Sequence, residues 1–108
     1  MSNLDDTLWG LVNALGKHSE CLDKKVGCII YNTKTNEVAA RGWNMHLDGV
    51  CDCDTTKTAQ HAEITAIHDL YLPTVKEDLI AFINHKPCLA CSKALDEYVS
   101  EVRYRSQH

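Results

Sequence analysis

Apolar residues along the chain switch repeatedly between helical and extended spacing, and each switch marks a new element. Leu4, Leu8, Leu11, Val12 and Leu15 recur with helical spacing, which predicts a first helix from about residue 3 to residue 18. Ser2 or Asn3 is placed to cap it, and Asp5 and Asp6 fall in its first turn, where the helix dipole favours anions. Residues 26–31 are β-branched and apolar, residues 32–37 are polar and turn-like, and residues 38–43 form a second extended run. Together they predict a hairpin.

Residues 44–58 read as a loop of about 15 residues, long enough to be functional rather than a plain connector. Ala62, Ile64, Ala66, Ile67 and Leu70 restore the 3.6 period, so a second helix is predicted over residues 59–71, punctuated by Pro73. Residues 79–83 predict a third strand, and residues 88–99 a third helix that starts just after Pro87. Residues 102–105 predict a last strand. A strand–helix–strand crossover demands parallel strands with a right-handed connection. The expected fold is therefore α/β, three layers (α/β/α) around a mixed sheet of about four to five strands, with a minimal C-terminus. No repeat or linker interrupts it, so residues 1–108 are expected to form a single domain.

Composition narrows the function classes. Of the residues, 44% are hydrophobic and 24% charged, as in an ordinary globular domain. The net charge of −4 gives no overall basic signal for nucleic acid. Lys24, Lys25, Arg103 and Arg105 read as solvated surface. Six cysteines in a short chain raise a disulfide scaffold. The N-terminus, however, does not follow the basic-then-apolar order of a secretion signal, so a reducing cytoplasm is expected. No apolar run reaches the roughly 18 residues that span a membrane.

The chemistry lies in His61-Ala62-Glu63 and Pro87-Cys88-Leu89-Ala90-Cys91. Cys88 and Cys91 are three apart, so one helical turn aims both sulfurs at one point, and His61 supplies a nitrogen from another helix. Zinc takes this donor set in tetrahedral geometry, and three protein ligands leave an open position, as catalytic sites do. Zinc lowers the pKa of bound water toward about 7. Glu63 stands beside that position as a proton carrier. The combination H-x-E…P-C-x-x-C is the signature of zinc nucleobase deaminases; a lone C-x-x-C is common in structural zinc and redox sites, and a lone H-x-E on a helix is mostly surface chance.

At these residues the chain resembles the cytidine deaminase superfamily, and within it the small phage-type deoxycytidylate (dCMP) deaminases. Residues 19–30, ending in Lys25-Val26-Gly27-Cys28-Ile29-Ile30, are similar to the family's run ending in K-V-G-x-[IV]-[IV]. Arg41-Gly42-Trp43-Asn44 resembles its G-[YW]-N element, Gly49-Val50-Cys51-Asp52-Cys53-Asp54 its G-V-x-C-D loop, and Pro87 to Leu95 its P-C-x-x-C-[AS]-K stretch. The resemblance covers about Leu8 to Tyr104. It implies one catalytic zinc, Asn44 on the nucleotide sugar, the backbone near Ala62 on the ring, and conversion of dCMP to dUMP with release of ammonia. It also implies a small-molecule nucleotide substrate and a homo-oligomer, the latter expected too from poorly covered sheet edges. Thr65 departs from the family's usual Asn, and Lys86 from its usual small residue.

Two other function classes compete: a deaminase of single-stranded DNA or tRNA bases, which needs a basic groove or stacking platform, and a non-catalytic zinc module, for which Glu63 has no use. Cys21, Cys51, Cys53 and His46 are a candidate second, structural zinc site, although free thiols read better. Cys28 reads as a small core residue and Trp43 as a packing residue. His18, His68 and His108 read as solvated or packing side chains, and His85 as a pocket candidate.

Overall fold

The computed structural model describes residues 3–17, 25–46, 59–70 and 75–105. Its elements are α1 (Asn3–Gly16), β1 (Gly27–Asn32), β2 (Glu37–Trp43), β3 (Met45–His46), β4 (Ala59–Gln60), α2 (Ala62–Asp69), a 3-10 turn (Lys76–Asp78), β5 (Leu79–Ile83), α3 (Leu89–Asp96) and β6 (Glu101–Tyr104). The main sheet has the order β2-β1-β5-β6. β1 is antiparallel to both β2 and β5, and β5 is parallel to β6. The expected mixed sheet is thus present, with the crossover running β5-α3-β6.

β1 is buried on both faces, as its unbroken apolar run requires. Alternation then splits the core in two. Cys28 and Ile30 face α2 and α3 together with Ala40, Leu79, Ala81 and Ile83. Ile29, Tyr31 and Phe82 face α1 together with Leu8, Trp9, Val12 and Leu15. The hairpin turn is set by two asparagines. Asn32 Oδ1 accepts from the N–H groups of Lys34 and Thr35, and Asn36 takes φ of 57°, a left-handed conformation that Asn tolerates. One bulge falls opposite Ile30 and Tyr31, with Ala39 the extra residue.

α2 is seated on β2 at two points. A Cβ on Gly42 would lie 2.5 Å from Ala66 N and 2.7 Å from Ala62 O, so only glycine lets the helix backbone come this near. At its far end, Asp69 Oδ2 accepts from the Arg41 N–H at 3.1 Å.

Three boundaries differ from expectation. Ala59 and Gln60 are extended, not helical: they pair with Met45 and His46 in a second, two-stranded sheet. α2 therefore starts at Ala62, after His61 in an extended conformation. Met45 and His46, expected in a loop, are a strand for the same reason. α3 ends at Asp96 rather than Val99, where the N–H groups of Tyr98 and Val99 both close on the Leu95 carbonyl. Ser2, Lys24, residues 47–58, Tyr71 and Pro73 lie outside the described residues, as do His18 and His108. No helix among the described residues is long and apolar enough to cross a membrane.

Candidate metal centre

Both ligand segments sit at helix starts on the same side of the sheet. His61 is the N-cap of α2 and Cys88 the N-cap of α3. His61 is further fixed by its carbonyl, which accepts from the Thr65 N–H at 3.0 Å and from Thr65 Oγ1 at 3.1 Å. The Cys88 sulfur accepts from the Cys91 N–H at 3.5 Å, which caps the first turn of α3. Across the gap, His61 Nδ1 lies 3.2 Å from the Cys91 sulfur and 3.7 Å from that of Cys88. The three donor atoms fall within 4.8 Å of one another.

Cys91 is buried and Cys88 exposed, so the cluster opens to one side. Glu63 points into the same core and is only 4% exposed. Burial pushes its carboxyl up from the ordinary range, opposed by its own backbone N–H and by the nearby His61 and His85. Burial likewise raises the Cys91 thiol, with the Glu63 charge and Cys88 adding to it. Cys28, beneath them on β1, is raised by burial first and then by Glu63 and Cys91. Two thiols and a carboxyl crowded in a dry place resist ionisation until a cation compensates them. One imidazole and two sulfurs facing each other at these distances fit zinc.

The family described as the cytidine and deoxycytidylate deaminase zinc-binding region matches residues 2–104. The chain belongs to this family. Among solved structures it resembles the dCMP deaminase of cyanophage S-TIM5 in apo form, with 27% identity, 98% of this chain and 86% of that one covered, and a TM-score of 0.81. The same enzyme in complex with dCMP and dUMP gives 25% identity, coverage of 100% and 85%, and a TM-score of 0.82. Guanine deaminase from Bacillus subtilis shares the fold at 20% identity, covering 100% of this chain and 66% of that one, with a TM-score of 0.65. A search of curated protein sequences gives no significant match.

Within this deaminase-family fold the expected site residues fall as follows. His61, Cys88 and Cys91 converge, with Glu63 beside them. Ala62 is fully buried at the first position of α2. Asn44 has a structural bond that its sequence context did not announce: its Oδ1 accepts from the Val26 N–H at 3.0 Å. His85 is half-buried, with Nδ1 3.2 Å from the Lys86 carbonyl, and Lys86 is exposed. Trp43 packs against the α1-side core as expected, while His68 is exposed. A groove of about 320 Å³ between β2 and α2 is lined by Arg41, Trp43, Thr65, His68 and Asp69 and includes none of the three donors. Cys21, Cys51 and Cys53 of the expected second site lie outside the described residues, as does the His46 side chain. Sequence reasoning missed Asn84, a buried amide at the end of β5; an asparagine closing an apolar strand just before the ligand loop was the available signal.

Proposed function

We propose that this chain is a zinc-dependent hydrolase that converts a cytosine nucleotide, dCMP, to dUMP with release of ammonia. The observation that carries the reading is the buried Glu63 beside the converging His61, Cys88 and Cys91. The three donors would hold the metal. When bound, zinc supplies Lewis acidity that brings water toward deprotonation near neutral pH.

The remaining work falls to the chain. Glu63 takes a proton from the attacking water and delivers it to N3 of the ring. It then moves the second proton from the new C4 hydroxyl to the exocyclic nitrogen, which departs as ammonia and leaves a C4 carbonyl. A carboxyl raised by burial suits a group that both accepts and returns a proton. The backbone at Ala62 borders the ring, and Asn44 orients the sugar. Asn44 Oδ1 already holds the Val26 N–H, which fixes the amide plane; a carbonyl oxygen has a second lone pair for a hydroxyl donor.

The 108 residues act as one domain in this reading, with one zinc, in a reducing cytoplasm. Exposed Leu89 and Tyr98 and the open edge of β6 support self-association; light scattering at micromolar concentration should give a mass above 12.1 kDa. The deciding assay offers dCMP, cytidine, guanine and single-stranded DNA in parallel to the zinc-loaded chain. Ammonia release from dCMP is expected. Turnover of DNA or guanine with none of dCMP overturns the substrate assignment.

A further inference from the structure

The segment that leads into β1 is gripped from both sides by asparagines. On the β2 side, Asn44 Oδ1 accepts from the Val26 N–H, and the Asn44 N–H donates to the Val26 carbonyl at 3.2 Å. On the β5 side, Asn84 Oδ1 accepts from the Gly27 N–H at 2.9 Å, and Asn84 Nδ2 donates to the Lys25 carbonyl at 3.1 Å. The Asn84 N–H also reaches the Gly27 carbonyl at 3.4 Å. Successive peptide groups of residues 25–27 therefore point to opposite neighbours, as in the middle strand of a ladder, but two of the partners are side-chain amide groups.

Asn84 is 6% exposed, and with Glu63 it is a buried polar side chain among the described residues. Both ends of its amide are used, so its burial is compensated. The surroundings leave little slack. A Cβ on Gly16, at the end of α1, would lie 2.8 Å from the Lys25 carbonyl oxygen and 3.1 Å from Asn84 Nδ2. Asn84 follows the last residue of β5, and the chain leaves the sheet there to reach Cys88 four residues later.

We propose that Asn84 is a positioning residue for the metal centre: its grip on Lys25 and Gly27 sets where the 85–88 segment departs, and so where Cys88 and Cys91 meet His61. The inference rests on the zinc reading above. Residues 25–27 also anchor Asn44, so the sugar side and the metal side of the site share one backbone support.

Two measurements test this on the full chain. Hydrogen exchange of the metal-free protein reports the clamp without reference to zinc or turnover. Asn84→Ala should speed exchange at Gly27 and across residues 85–91 by about tenfold more than at Ile29 to Tyr31. Competition with a chromogenic chelator should show zinc bound about tenfold more weakly. Leu8→Ala, in the core under α1, calibrates plain destabilisation: it should raise exchange evenly, without the excess at Gly27 and residues 85–91, and leave zinc affinity at the parent value. If Asn84→Ala does not fold, Asn84→Asp keeps an oxygen toward Gly27 and sets another against the Lys25 carbonyl; the same two effects are expected. Exchange that rises evenly over the sheet, or zinc affinity no weaker than that of Leu8→Ala, overturns the positioning role. A parent chain that binds no zinc and releases no ammonia instead sinks the functional reading, while the exchange pattern still decides the clamp.

Discussion

On the α1 side the sheet meets its helix through Trp9, Phe82, Tyr31, Leu8 and Leu15; on the other side it meets α2 through Ala40, Gly42, Ala62 and Ala66. The first contact joins bulk to one close approach, since a Cβ on Gly27 of β1 would lie 2.1 Å from the Val12 carbonyl oxygen of α1. Trp9 packs edge-on against Phe82 with centroids 5.4 Å apart, and Arg105 lies 4.6 Å over the Trp9 ring. The large rings bury area, and the glycine contact seats α1 on β1. The second contact is made almost wholly by small residues, so the α2 backbone lies directly on β2 with no large side chain between them. The chemistry sits on that second face. A metal centre needs donors placed to within about half an ångström, and the small residues under α2 seat the helix whose start carries His61 and Glu63.

The sharpest break is at a ligand. Cys91→Ser should lose bound zinc by atomic absorption and take ammonia release to background; a chelator should do the same to the parent, with recovery on adding zinc. Next comes Glu63→Ala, which should keep its zinc and lower kcat by about a thousandfold. Retained turnover there removes Glu63 from proton transfer. Gly42→Ala probes the close contact itself. Its methyl must displace α2, so we expect about 2 kcal/mol of destabilisation in urea, together with a fall in kcat beyond that of any α1-side variant of equal stability loss.

Val12→Ala, on the other face, should cost about 2 kcal/mol through its cavity, with kcat and KM at parent values. If it slows turnover as much as Gly42→Ala does, the division of labour between the faces is wrong. Smallest of all, Arg105→Ala should lose about 0.5 kcal/mol of stability from its contact with Trp9, with no change in activity.

How much of this could be read in the chain depends on the range of each signal. The main-sheet strands were legible because their apolar runs are local, and the convergence of Cys88 with Cys91 because their spacing fixes their geometry within one turn. His61 and Glu63 were legible as a pair for the same reason. The start of α2 was misplaced because nothing local distinguishes Ala59-Gln60 from a helix; its pairing partner is Met45-His46, and only the folded chain brings the two together. Asn84 was missed because its partners lie 57 and 59 residues away, beyond any periodicity. Cys28 was rightly read as core, yet its place under Glu63 and Cys91 follows from strand register, which the spacing of its own neighbours does not disclose.

The unequal exposure of the two cysteines bears on how the protein is assembled. Cys88 stands at the rim and Cys91 at the floor, so one sulfur is open to an arriving ion in the folded chain. We therefore expect loading to follow folding: a preparation stripped of metal should regain it by simple incubation rather than by denaturation and renaturation.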